Sequence, residues 1–150
     1  MKKNYIEYSF LFLLGALTSL SLPPLNFFLI NFFTLSFFFI FLIKKSKEVF
    51  KKNKRSFFYY GWLFGFGYFI TNLYWISISL TFDESFKFLV PFSVVLIPGF
   101  LSIFYGLITY LFIIFKPKKN LSSFLFFTLM IGLIEYIRGS ILTGFPWNLI

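Results

Sequence analysis

FFYYGWLFGFGYFITNLYWISISL, residues 57–80, carries no charged side chain and follows directly on the basic run KKNKRS at residues 51–56. As a helix, an uncharged apolar stretch of this length crosses the hydrocarbon core of a bilayer, which takes about 20 residues. Gly61 and Gly65, four apart, open one helix face to close approach by another. Membrane helices use this device because lipid gives them no hydrophobic drive to associate. Tight packing inside a bundle is the plainest role for this pair. Asn72, within the stretch, needs a hydrogen-bond partner in an apolar surrounding. Tyr74 and Trp75, towards its far end, suit the membrane interface, where an aromatic ring with a polar edge is favoured.

Four further stretches read the same way, at about residues 8–22, 25–43, 88–115 and 121–137. Pro23-Pro24 stops the first, since proline cannot continue a helix. Pro98-Gly99 is expected to kink the span 88–115. Composition agrees: 59% of residues are hydrophobic, 13% are charged, and mean hydropathy is +0.85. A soluble domain carries about a quarter charged residues to clothe its surface. The 28 Phe residues accompany a preference for Ile, Lys and Asn over Ala, Val and Arg. That is the bias of an AT-rich genome, so no Phe-specific chemistry follows. The fold expected is an all-α integral membrane bundle of about five spans forming one domain over 1–150, with an outer membrane-surface segment at 139–150.

The charges give the orientation. Lys2 and Lys3, then Lys44, Lys45, Lys47, Lys51, Lys52, Lys54 and Arg55, then Lys116, Lys118 and Lys119 lie on alternate connections, hence on one side. They are 12 of the 14 basic residues. Cytoplasmic loops are the ones enriched in Lys and Arg, so the N-terminus is expected in the cytoplasm and the C-terminal end outside. The net charge of +9 thus belongs to topology and to anionic headgroups, and no nucleic-acid partner is expected. An alternative takes residues 1–22 as a cleaved leader with Ser19-Leu20-Ser21 as its small-residue site.

The chain has no Cys and no His. This excludes a disulfide, a thiolate nucleophile, a thiolate metal site and the commonest general base. No cofactor and no metal are expected, and no catalytic residue is assigned. The candidates for function are polar groups near the outer end. Glu135 and Arg138 stand three apart, on neighbouring helix positions, and can pair; ionisable groups in a span are functional candidates, with a structural pair the equal alternative. The tail GSILTGFPWNLI, residues 139–150, breaks helix at Gly144 and Pro146 and places Phe145 and Trp147 where the headgroup region suits them.

Glu135-Tyr-Ile-Arg138-Gly139 followed by Leu142-Thr-Gly-Phe-Pro-Trp-Asn-Leu149 resembles the segment after the fifth membrane helix of apolipoprotein N-acyltransferases. Gly15-Ala16-Leu17 leading to Leu22-Pro23-Pro24 is similar to that family's first hairpin. Gly61 to Gly67 with Asn72-Leu-Tyr-Trp-Ile76 is similar to its third helix. The resemblance implies a bacterial inner-membrane enzyme. It takes an acyl chain from a membrane phospholipid, holds it as a thioester and passes it to the N-terminal diacylglyceryl-cysteine of an apolipoprotein. Its catalytic Glu, Lys and Cys belong to a nitrilase-like domain absent from this chain, so the sequence is expected to be the front of a longer enzyme and inactive alone. On the same resemblance, Phe145, Pro146, Trp147 and Asn148 are expected to shape the lipid entrance or brace the catalytic domain, with Trp75 on the lipid side. Glu135 and Arg138 are expected to hold that segment to the last span.

Two alternatives stand beside this. One is a small non-enzymatic membrane protein such as an oligomerising transporter subunit; no internal repeat supports it, and Asn72 is its one midplane polar candidate. The other is a fragment without function that is degraded.

Overall fold

The computed structural model of the chain describes residues 2–49 and 54–141. Among them every regular element is helical. α1 (Lys2–Thr18) ends in a short 3-10 turn, Ser19–Ser21. α2 (Leu29–Val49) returns, α3 (Arg55–Asn72) follows, and α4 (Tyr74–Ser79) is a separate short helix. A second 3-10 turn, Glu84–Leu89, leads into α5 (Val90–Phe115), and α6 (Asn120–Ile141) closes the described chain. Three helical stretches, Leu29–Glu48, Glu84–Phe115 and Asn120–Ile141, are long and apolar enough to cross a membrane.

The stretch 57–80 is therefore two helices rather than one. α3 ends at Asn72, and Leu73 leaves helical geometry with φ −103° and ψ 8° while its N–H still donates to Phe69 O at 2.8 Å. α2 begins four residues later than the apolar run suggests and carries Lys44, Lys45 and Lys47 in its last turns. Lysine is a good helix former, so the helix outlasts the apolar stretch. α6 likewise runs to Ile141, taking Gly139 and Ser140 out of the expected surface segment. α5 passes through Pro98 without interruption; Ser102 Oγ donates to Pro98 O at 2.5 Å and Trp62 Nε1 to Gly99 O at 3.0 Å.

α3 is the centre of the bundle, packed between α1 and α5. Glycine makes both contacts possible. A Cβ on Gly15 would overlap the Phe64 carbonyl of α3, and one on Gly67 the Phe12 carbonyl of α1. On the other face, a Cβ on Gly61 would overlap Tyr105 O and Thr109 Oγ1 of α5, and one on Gly65 would sit 3.0 Å from Tyr105 Cβ. Thr109 Oγ1 donates to Phe57 O across this seam at 2.6 Å. The remaining core is aromatic: Phe38 of α2 stacks on Phe64 at 4.2 Å between ring centres and meets Phe127 of α6 edge-on at 6.0 Å. Large apolar side chains also face outward on every long helix, among them Phe32, Tyr59, Phe100 and Leu129. A water-soluble monomer rarely shows so much contiguous apolar surface, and lipid is the solvent that accepts it.

Candidate functional site

The last charges of the described chain are Glu135 and Arg138, one turn apart on α6, and that face is turned inward. Arg138 is 0% exposed and Glu135 6%. Arg138 Nη2 donates to Glu135 Oε2 at 2.6 Å. The other carboxylate oxygen, Oε1, accepts from the Tyr105 hydroxyl of α5 at 2.8 Å, and the guanidinium lies 5.0 Å from the centre of the Phe69 ring of α3. A buried ion pair is tolerated only where attraction and added hydrogen bonds offset the loss of hydration. Tyr105 and the Phe69 face supply that here, and together the four residues pin α3, α5 and α6 to one another.

The polar cluster extends one step further. Tyr68, one helical turn before Asn72, is fully buried, and its ring centre lies 6.2 Å from that of Tyr105. Asn72 in turn borders open space. With Thr71, Tyr74 and Trp75 it lines a cavity of about 540 Å³, whose other wall is the α1–α2 connection at residues 19–25. That wall is a tight turn. Pro23-Pro24 is a cis peptide, and Asn26 takes a left-handed φ of 55°, a conformation for which asparagine is among the better-suited side chains. Trp75 follows the break at Leu73 by two residues and lines this cavity.

The structure thus brings Glu135 and Arg138 together and sets Trp75 apart from them, with Asn72 bordering both the cluster and the cavity. Gly61 and Gly65 lie elsewhere, on the α5 seam. Phe145, Pro146, Trp147 and Asn148 lie outside the described residues. Tyr68 and Tyr105 were not among the residues read as candidates. The signal that could have found them is the rule that a hydroxyl and a carboxylate buried in one bundle seek each other. The Glu135 carboxylate, Arg138 Nη2 and the Tyr105 hydroxyl are engaged with one another, and the chain supplies no thiol or imidazole.

The profile described as the apolipoprotein N-acyltransferase N-terminal domain matches residues 14–150, the cluster included. The chain belongs to the apolipoprotein N-acyltransferase family. Among curated relatives so named, it is 36% identical over 140 residues to that of Allorhizobium ampelinum and 39% identical over 140 residues to that of Rhizobium etli. Each match covers 91% of this chain. It is 37% identical over 140 residues, 93% of this chain, to the one from Rickettsia typhi. The chain spans 26% of the length of each of these relatives. No solved structure matches it significantly. The Glu135–Arg138 pair, the Trp75 cavity and the glycine seams all fall within the matched N-acyltransferase domain.

Proposed function

We propose that this chain is the membrane-embedded front of an apolipoprotein N-acyltransferase of the bacterial inner membrane. The complete enzyme transfers an acyl chain from a membrane phospholipid to the N-terminal diacylglyceryl-cysteine of a lipoprotein during its maturation. The observation that carries this reading is the match over residues 14–150 to the N-terminal domain of enzymes of that name. In this reading the acyl-carrying cysteine lies in a later part of the enzyme, and residues 1–150 anchor and aim it. The Glu135–Arg138 pair, fastened to Tyr105, sets the direction in which the chain leaves α6. Phe145, Pro146, Trp147 and Asn148 shape the lipid entrance or brace the catalytic domain, and Trp75 stands on the lipid side, lining the cavity it shares with Asn72.

The orientation belongs to the same proposal: five spans, the N-terminus and the lysine-rich connections in the cytoplasm, the end of α6 outside. The lysine distribution supports it. Because the chain has no cysteine, single cysteines report on it directly. An impermeant maleimide added to intact spheroplasts is expected to label Ser85→Cys and to spare Lys54→Cys until the membrane is opened; the reverse pattern would overturn the orientation.

Function is tested by joining residues 1–150 to the remainder of the Rickettsia typhi relative and expressing the chimera in cells depleted of their own N-acyltransferase. Triacylated lipoprotein is the expected product, and Arg138→Ala or Trp147→Ala is expected to reduce it at equal protein abundance. A membrane-inserted chimera that acylates nothing would count against the reading.

A further inference from the structure

At the end of the bundle opposite Glu135 and Arg138, α2 finishes on three lysines that meet different fates. Lys45 turns inward, its Nζ donating to Glu7 Oε1 of α1 at 2.6 Å and to Glu48 Oε2 at 2.9 Å. Lys44 and Lys47 stay exposed, and among the described residues neither has an ion pair. The remaining carboxylates are engaged elsewhere: Glu135 with Arg138, Glu84 with Lys87, and Asp83 with the backbone N–H of Ser85.

Lys44 and Lys47 rim a groove of about 360 Å³ walled by Phe39, Ile40 and Ile43 of α2, with Asn120 at the start of α6 on its other side. Lys118 and Lys119, both exposed, immediately precede Asn120. An apolar trench therefore opens beneath a rim of ammonium groups, of which Lys44 and Lys47 form no ion pair among the described residues. A nucleic acid would meet the rim and leave the trench empty. A molecule with one anionic head and an apolar tail satisfies both. The trench also lies where a filler has most to do, since the α2 and α6 backbones barely approach each other.

We propose that this groove is a binding site for one anionic phospholipid, its phosphate held by Lys44 and Lys47 and an acyl chain laid along Phe39, Ile40 and Ile43 between α2 and α6. Lysine serves as a compact, mobile point charge for phosphate. In the orientation proposed above, the lipid belongs to the cytoplasmic leaflet, so it is a structural lipid rather than an acyl donor at the outer end. The proposal rests on the membrane reading of the chain and not on its enzymatic one.

The test is a lipid titration of the full chain in neutral maltoside detergent, with bound lipids counted by native mass spectrometry and helicity followed by circular dichroism. One phosphatidylglycerol is expected to be retained in preference to phosphatidylcholine. Lys44→Gln with Lys47→Gln is expected to weaken it about 30-fold, each lysine near a headgroup being worth about fivefold. Lys44→Arg with Lys47→Arg should restore it, and Lys87→Gln, in the connection between α4 and α5, should leave it unchanged. Ile43→Trp keeps every charge but fills the trench, and is expected to lose the lipid as well. Equal retention of phosphatidylcholine would overturn the site. So would binding that survives Ile43→Trp, which would mark diffuse attraction to a basic surface, or competition by glycerol phosphate at the concentration of the lipid. The readout involves no acyl transfer, so loss of the site and failure of the enzymatic reading are separate results.

Discussion

Two seams of this bundle solve the same problem in opposite ways. α3 meets α1 and α5 backbone to backbone, because Gly15, Gly61, Gly65 and Gly67 remove the side chains that would hold them apart. α2 meets α6 through phenylalanine rings: Phe39 lies 5.4 Å from Phe124 and 5.5 Å from Phe127 between ring centres. Grooves of about 420 and 360 Å³ open on either side of that contact. In a bilayer the choice matters more than in water. Lipid tails are as apolar as the side chains, so association depends on contact and hydrogen bonding. A glycine seam excludes lipid by leaving it no room. A ring seam admits lipid along its edges and can exchange one apolar neighbour for another. The glycine seams therefore carry the rigidity of the bundle, and the ring seam is where it can accept something.

The largest effect should follow from filling a glycine seam. Gly61→Leu drives a branched side chain into the Tyr105 carbonyl and Thr109, where a backbone cannot yield as a side-chain tip would. Overpacking of this kind costs several kcal/mol. The protein is expected to lose its folded state in detergent, seen as loss of a cooperative thermal transition. A Gly61→Leu protein that melts near the parent temperature would show that α3 and α5 are not in backbone contact.

Next in size is the buried pair. Arg138→Ala removes the partner of Glu135 Oε2 in an apolar interior, and breaking such a pair costs about 3–5 kcal/mol. Glu135→Gln is the milder change, because the amide oxygen still accepts from the Tyr105 hydroxyl and a polar group still faces Arg138. Both should lower the unfolding midpoint, Arg138→Ala further. A double substitution, Glu135→Leu with Arg138→Leu, is expected to recover much of the loss, as apolar replacements of whole buried pairs do. If it recovers nothing, the cluster is held by more than this pair.

How far these features could be read beforehand follows from their range along the chain. The Gly-x-x-x-Gly spacing and the Glu135/Arg138 offset are local, so a helical period is enough to put each on one face. The family resemblance is local too, since it rests on short blocks such as Glu135-Tyr-Ile-Arg138. Tyr105, the hydrogen-bond partner of Glu135, is 30 residues away, and no periodicity singles it out from the other eight tyrosines. The break at Leu73 is hidden for a related reason. Asn72-Leu-Tyr-Trp-Ile76 contains no proline or glycine, so apolar content alone runs straight through it. This stretch faces the α1–α2 turn across a cavity, a tertiary arrangement that local sequence does not encode. Lys45 is the converse case. Its charge points to a loop, yet its ammonium is drawn inside by Glu7, 38 residues earlier.

A smaller loss is expected at the ring seam. Phe39→Ala removes a half-buried ring that touches Phe112, Phe124 and Phe127. A sealed core would lose about 3–5 kcal/mol for such a change. Here the space joins an existing groove that an acyl chain or detergent tail can enter, so about 1–2 kcal/mol is expected. The cost should also depend on the surroundings, larger in a detergent with a short tail than in one with a long tail. A detergent-independent loss near the sealed-core value would mean that the seam is closed, and would remove the contrast between the two seams.

The smallest effect tests the contrast from its other side. Gly132 lies within α6, where an added Cβ would meet nothing within 4 Å, unlike the glycines of α3. Among the described residues its glycine therefore contributes no close approach, and the helix bears the conformational freedom of glycine without a packing return. Gly132→Ala should then raise stability by a few tenths of a kcal/mol and up to about 1, the helix-propensity difference between the two residues. A melting curve in detergent suffices to see it, with Gly65→Ala as the companion, where contacts of 3.0–3.1 Å with Tyr105 and Ser102 predict a loss instead. Opposite signs at the two glycines would show that it is the neighbour, and not the residue type, that decides what a membrane-helix glycine does. Should Gly132→Ala also destabilise the isolated chain, some part of it outside the described residues must lie against α6 at that point, and the face now read as open would have to be redrawn as a third close seam.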